Sequence, residues 1–431
     1  MIKEKRIYID IFLANKGWIN AGVITFDVAS NFSSFSYFKS YIENDYPPLN
    51  PATLNYRHTK NRHFITNNKE LLDRTFWEIL PNQSDWSHQV IIAHHPEYLS
   101  MNYAEKLYFL KYRVSGGLRS YIQEDGEEES IKGLDWLEQT RKESIDFYIK
   151  HIEKFPQLRS LMPLTSYGGM RPKCMFEDDH GNHWIAKFNL PNDPYNMALI
   201  ERLALVLAEK SGLKVAENKI IETTNGEHIF LSKRFDRDKN NRKHSLSLFA
   251  LNEAKPDSQR QIPGNPASVI SFLIKRHSDF KDFDTAQIVV KLLIDIGINN
   301  TDNHLRNIRL ILNNHNKWEL APAYDLIINP WNQPHVYNPA GSSMDQIFLY
   351  NEQLPELMQK ELNIDANLIA EQQKKVRKTI DGWKDEADKL GLSENDKLKV
   401  EQGLSLGLKR QNINLKIKQN LQNKLKLVKP N

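Results

Sequence analysis

Asn300-Thr-Asp302-Asn-His304-Leu-Arg306-Asn307-Ile-Arg309-Leu310, followed by Leu320-Ala-Pro-Ala-Tyr-Asp325, decides how this chain of 431 residues is read. A carboxylate, an amide oxygen five positions on and a second carboxylate beyond a short turn can together take a hydroxyl proton and hold divalent cations. The flanks say where this set sits. Gln287 to Ile298 has apolar residues at helical spacing and ends near Gly297, a helix stop. The polar run Asn299-Asn-Thr-Asp-Asn-His304 reads as a loop. Asn307-Ile-Arg-Leu-Ile-Leu312 alternates as a strand, Asn313 to Lys317 is a turn, and Trp318 to Ala323 returns as the partner strand. Helix, loop and hairpin would place Asp302 and Asn307 at one end of the ladder and bring Asp325 back beside them. The plain alternative is a solvated turn without chemistry.

The same spacing serves phosphoryl transfer in protein kinases, where the first Asp handles the hydroxyl proton and the Asn and last Asp hold Mg²⁺ on the ATP phosphates. No His-Arg-Asp precedes this loop and no Asp-Phe-Gly follows it, so the chain is not an ordinary protein kinase. A kinase also needs a phosphate clamp. Thr165-Ser166-Tyr-Gly168-Gly169-Met-Arg171-Pro-Lys173 is a glycine turn whose backbone can approach phosphate oxygens, with a hydroxyl and two cations close by. A hairpin follows, turning at Asp179-His-Gly-Asn182 and returning in Trp184-Ile-Ala-Lys187, which resembles the strand that carries the phosphate lysine. The helix from about Pro194 to Gly212 offers Glu201 as the ion-pair partner of Lys187. Val215 to Glu222 and Glu227 to Arg237 read as two more strands, the second ending where a hinge would meet adenine. Each feature has a bland reading: a plain turn, a solvated lysine, a surface glutamate. Their order along the chain favours the functional one.

Four segments then carry a specific resemblance: Ser166-Tyr-Gly-Gly-Met-Arg-Pro-Lys173, Lys233-Arg-Phe-Asp-Arg237, Thr301-Asp-Asn-His-Leu-Arg-Asn307 and Leu320-Ala-Pro-Ala-Tyr-Asp325. The chain resembles the HipA family of serine/threonine kinases, the toxin half of bacterial HipA–HipB toxin–antitoxin pairs, from about Ile7 to Asp325. The resemblance implies Asp302 as catalytic base, Asn307 and Asp325 as Mg²⁺ ligands, and Lys187 on the ATP phosphates. It also implies Ser166, Gly168, Gly169, Lys173, Glu201, Lys233, Phe235, His304 and Arg306 in the ATP-binding set, and Ser166 as a regulatory autophosphorylation site. For His304 and Arg306, phosphate contact and loop shaping stay open as alternatives. The best-known members have Gly-Ala-Gln shortly after that serine, where this chain has Gly169-Met-Arg-Pro. The implied cofactors are ATP and Mg²⁺. The implied partners are a HipB-like DNA-binding antitoxin and a protein substrate such as an aminoacyl-tRNA synthetase, with DNA contact at most weak or indirect through the antitoxin complex.

The expected fold class is α+β: a HipA-like kinase fold with an N-terminal mixed part, an antiparallel-sheet small lobe and a mostly helical C-terminal lobe. The expected units are residues 1–111, an N-terminal module; 112–244, the small lobe with phosphate loop and hinge; and 245–431, the helical lobe. Composition is ordinary for a globular protein, 40% hydrophobic and 26% charged with net charge +4. The single cysteine, Cys174, excludes an internal disulfide and sits in a strand pattern as a buried thiol. No eighteen-residue uncharged apolar stretch occurs, because Lys291 and Asp295 break the most apolar one, and the N-terminal residues lack a signal-peptide pattern. A cytoplasmic protein away from membranes is expected. After Leu404 the chain has seven Lys/Arg and no acid, a basic helical end that reads first as solvated, then as a nucleic-acid contact, and last as a membrane-surface helix. His94-His95 lacks a third metal ligand, and the Gly403-Leu-Ser405-Leu-Gly407 string lacks the strand a nucleophile elbow needs. Two competitors to a toxin kinase remain: a degenerate scaffold acting in a DNA-bound repressor complex, and a small-molecule kinase. Mg²⁺-dependent ATP binding separates the scaffold from both kinases.

Overall fold

Alternation in Ile7, Ile9, Ile11 and Leu13 puts four apolar side chains on one face, and all four are buried in β1 (Glu4–Leu13), which pairs with β2 (Gly17–Asp27) in a hairpin. The computed structural model describes residues 4–27, 32–58, 65–67, 72, 75–76, 80, 85–101, 103–110, 116–121, 134–150, 171–238, 241–252, 265–333, 337–338 and 347–408. β3 (Phe32–Tyr37), β4 (Ile65–Thr66) and β5 (Leu118–Tyr121) complete an antiparallel sheet in the order β4-β3-β2-β1-β5. The helices α1 (Lys39–Glu43), α2 (Trp86–His94) and α3 (Tyr103–Leu110) accompany it. The unit boundary expected at residue 111 falls short of β5. That strand pairs with β1, Tyr121 opposite Tyr8 and Leu118 opposite Ile11, so 118–121 belongs to the first sheet and not to the small lobe. A pairing over more than 100 residues leaves no local trace in the sequence.

The second sheet has the order β6-β7-β9-β8, with β6 (Lys173–Glu177), β7 (His183–Phe188), β8 (Asn218–Glu222) and β9 (His228–Lys233). The β6–β7 turn is held by Asp178, whose side chain accepts the main-chain N–H of His180 and Asn182 and the indole N–H of Trp184, with Gly181 at φ 75°. One face of this sheet buries Cys174, Phe176, Trp184, Ala186, Phe188, Ile229 and Leu231 against Trp86 and Val90 of α2 and Leu137 and Phe147 of α4 (Leu134–Lys150). Cys174 is therefore a buried thiol, and burial raises its pKa. The other face carries Lys173, Lys187 and Phe230 towards α5 (Met197–Lys210).

A short hairpin, β10 (Arg237–Asp238) and β11 (Asn241–Arg242), leads to a three-stranded sheet of β12 (Ser245–Ser247), β14 (Arg309–Leu312) and β15 (Trp318–Leu320). The two-residue strands β13 (Asn265–Pro266) and β16 (Tyr337–Asn338) pair in parallel. The remainder is helical: α6 (Leu248–Leu251), α7 (Ser268–His277), α8 (Lys281–Gly297), α9 (Leu354–Leu362), α10 (Ala366–Asp381), α11 (Trp383–Lys389) and α12 (Glu394–Leu408). α8 is the centre of this half, packed by α7, α10 and α12. It begins six residues before the apolar periodicity shows, since its first turn is the polar Lys281-Asp-Phe-Asp284. The Gly403–Gly407 string lies inside α12. A Cβ on Gly407 would stand 2.2 Å from the Ile296 carbonyl oxygen and one on Gly403 2.8 Å from that of Asn329, so these glycines let two backbones touch. Among the described residues no helix is long and apolar enough to cross a membrane.

Candidate active site

Asn196 caps α5 by accepting the N–H of Leu199, which starts the helix at Met197 and sets Glu201 on the face opposite β7. Lys187 Nζ donates to Glu201 Oε1 at 2.6 Å and to Asp325 Oδ1 at 2.5 Å. A strand, the helix that follows it and a segment far along the chain thus meet at one ammonium group. Burial alone would lower the Lys187 pKa, but Asp325 and Glu201 outweigh it and raise it. Burial would raise the Asp325 carboxyl, yet Lys187 and Lys173 bring it down to about 2. Burial dominates at Glu201 and raises it. In-register pairing puts Lys173 directly opposite Lys187, and it is 7% exposed. Burial and the Lys187 charge lower Lys173 to about 8, against the pull of Asp325, Asp85 and Glu201.

Asp325 has φ 56°, in the left-handed region that Asp tolerates better than most residues. The neighbouring chain holds it there. Tyr324 Oη donates to the Arg306 carbonyl, and Ala323 bridges to Val215. These contacts tie the segment after β15 both to the loop that follows α8 and to the segment between α5 and β8.

That loop is clamped almost residue by residue. Asn299 donates to the carbonyls of Asn329 and Trp331; Thr301 Oγ1 accepts from Asn329; Asn307 Nδ2 donates to the Asp302 carbonyl at 3.1 Å. Asn300, Thr301 and Asn303 are buried, whereas the Asp302 side chain keeps 73% of its surface in solvent. The loop therefore presents one carboxylate to the cleft. Partial desolvation of that carboxyl, mostly open to solvent as it is, raises its pKa modestly; His304, whose Nε2 lies 3.9 Å from Asp302 Oδ1, opposes the shift, and Asp325 adds to it. His304 Nδ1 is buried without a hydrogen bond.

Lys187, Glu201, Asp325, Lys173, Asp302, His304 and Asn307 thus come together, as does Phe235, whose ring packs 5.5 Å from that of Tyr324. Lys233 does not join them. It lies on the opposite face of the sheet, paired with Trp184 across β7 and β9, and its ammonium bonds Glu217 at 2.8 Å. Strand alternation is the reason: Lys187 and Lys233 fall on opposite sides of the pleat. Arg306 stacks its guanidinium 4.4 Å from the centre of the Phe249 ring, which favours the loop-shaping alternative. Ser166, Gly168 and Gly169 lie outside the described residues. At its edge, Arg171 makes a bidentate pair with Asp193. His94 and His95 bond Val90 and Glu97, and no cluster of three metal-binding side chains occurs among the described residues.

Sequence reading missed the buried ion pair Lys291–Asp295, taking both only as interruptions of an apolar run. Their spacing of four on a helix was the available signal. It also missed the triad in which Asp236 accepts from Arg234 and Arg237 between β9 and β10.

A sheet-based lobe with a lysine–glutamate pair, set against a helical lobe that supplies an Asp-x4-Asn loop, defines the class: a kinase-type fold. The model of the HipA-like C-terminal domain matches residues 165–389, and the chain belongs to that family. A chain in the solved complex of the Shewanella oneidensis MR-1 toxin–antitoxin system, HipA and HipB with operator DNA, is similar in fold; identity is 16%, TM-score 0.68, covering 93% of this chain and 96% of that one. The Helicobacter pylori proinflammatory kinase CtkA superposes only at TM-score 0.34, with 14% identity over 53% of this chain and 94% of its own. No curated protein matches.

Proposed function

We propose that this chain is an ATP- and Mg²⁺-dependent serine/threonine protein kinase, the toxin of a HipA–HipB-type pair. The observation that carries the reading is the Lys187 ammonium shared between Glu201 and Asp325 beside the Asp302–Asn307 loop. In kinases that lysine–glutamate pair must be in place before phosphates are gripped. The donor set fits magnesium. Asn307 gives its Nδ2 to the Asp302 carbonyl and its amide oxygen accepts no hydrogen bond among the described residues, while Asp325 is an ionised carboxylate held at about 2. One carboxylate and one amide oxygen match a hard cation that keeps waters and phosphate oxygens as its other ligands. When bound, the metal supplies charge neutralisation on the transferring phosphoryl group.

The protein's own residues do the rest. Asp302 takes the proton of the attacking hydroxyl on a carboxylate oxygen, helped by a pKa raised towards working pH. Lys187 and Lys173 offer two cations to the phosphates, Glu201 holds Lys187 in place, and the Phe235–Tyr324 pair forms an apolar wall at the hinge. Autophosphorylation on Ser166, a translation-related substrate such as an aminoacyl-tRNA synthetase, and a HipB-like antitoxin belong to the same reading. The Shewanella chain's complex with HipB and operator DNA supports the last by analogy of fold.

Purified protein incubated with Mg²⁺ and γ-labelled ATP, alone and with bacterial lysate, tests the proposal. Label on Ser166 or on one lysate protein, lost in Asp302→Asn, is expected. The absence of both transfer and nucleotide binding would favour the scaffold alternative, whereas binding without transfer would point to a missing substrate or a locked phosphate loop.

A further inference from the structure

A buried charge cluster behind the catalytic loop has a second role. Lys291 and Asp295 stand one turn apart on α8, and both are almost wholly buried. Lys291 Nζ donates to Asp295 Oδ2 and to Asn303 Oδ1, each at 2.8 Å. The other carboxylate oxygen of Asp295 accepts Asn300 Nδ2 at 2.8 Å, and its main-chain oxygen accepts the Asn300 N–H. Asn300 and Asn303 bracket Asp302, and Lys291 lines the same small recess as Asn307.

We infer that Lys291 and Asp295 are positioning residues for phosphoryl transfer, locking the chain on both sides of Asp302 through Asn300 and Asn303 so that the exposed carboxylate keeps one direction. The inference rests on the kinase reading for its catalytic consequence and on geometry alone for the positioning. A buried ion pair is poor evidence of added stability, because desolvating two charges offsets much of their attraction and well-packed apolar residues often replace them without loss. What an apolar pair cannot do is hold two asparagine side chains. A group that bears on a reacting atom needs placement to a fraction of an ångström, and a displacement of about 1 Å can cost on the order of 100-fold in rate.

The test is the double variant Lys291→Met/Asp295→Leu in the full chain. It is expected to melt close to wild type, to lose about 10- to 100-fold in kcat for labelled-phosphate transfer with an unchanged KM for ATP, and to show faster amide exchange across 299–307 while β6, β7 and β9 stay protected. Wild-type kcat, or unchanged exchange in that loop, overturns the proposal. If wild-type protein itself transfers nothing, the kinase reading falls, and the exchange comparison alone decides the positioning. Should the double variant not fold, Asn303→Leu removes only the loop's side of the link to Lys291, and the same readouts apply with the same meaning.

Discussion

Asp302 and Lys173 are the two side chains whose charge the cleft changes most usefully. Asp302 is raised above the ordinary carboxylate value, first by desolvation in the cleft and then by Asp325. A base must be ionised to act, so the acid limb of kcat/KM is expected above the pH at which a free aspartate titrates, and Asp302→Asn should lower kcat by about 10²–10⁴-fold. A pH–rate profile with wild-type activity in the Asn variant would remove Asp302 from this role. Lys173 shifts the other way, to about 8. Between that value and the ordinary 10.5 the folded protein binds fewer protons than the unfolded chain. Its burial therefore lowers stability below about pH 8, and the penalty fades as pH rises towards 10.5. Lys173→Met should melt above wild type at pH 7, converge with it at high pH, and bind ATP about 10-fold or more weakly at pH 7 through loss of a charged contact. Melting and titration calorimetry at two pH values check both parts.

At the scale of elements, two contacts decide how strands and helices meet. Between β9 and β10, Asp236 accepts from Arg234 and Arg237 and from the Gly116 main-chain N–H, and the two arginines hold its carboxyl well below the usual range despite full burial. Asp236→Ala leaves two arginines buried without their anion, so a loss of about 3–5 kcal/mol in urea unfolding is expected. A loss below about 1 kcal/mol would mean water reaches them. Between α12 and α8 the determinant is the absence of a side chain. Gly407→Ala would improve helix propensity by about 1 kcal/mol, yet its Cβ would meet the Ile296 and Gly297 carbonyls, which are backbone and cannot step aside. A net destabilisation of about 1–3 kcal/mol is expected, measured the same way.

Over the whole molecule, the first sheet is joined to the rest through buried polar contacts as well as apolar ones. Asn50 Nδ2 donates to the Ala250 carbonyl, His244 Nε2 bonds the Leu49 carbonyl, and one apolar core runs from Ile7 to Leu404. The second sheet is tied in by α2, where the Trp86 indole donates to the Lys173 carbonyl and packs edge-on to Phe147. Trp86→Ala should therefore cost about 3–5 kcal/mol. Because Trp86 also fixes the strand that carries Lys173, KM for ATP should rise with it. Calorimetry and initial rates read the two effects, and a fully stable variant with an altered KM would show that the anchor serves the site alone.

Much of the site was legible because its chemistry is local in sequence. Asp302 and Asn307 share one loop, Lys187 lies near the end of a strand whose pleat is written in Trp184-Ile-Ala-Lys187, and Glu201 falls on a helix marked by its cap and by Gly212. The sequence by itself determined these elements, since turn residues and apolar period act over a few positions. Only the tertiary structure decided that β5 pairs with β1, that Lys233 faces away from Lys187, and that Lys291 and Asp295 lie behind the catalytic loop. Each depends on which faces pack together. That choice is set by the total area buried and by the pairing of buried charges across distant segments, and no single window of sequence contains it.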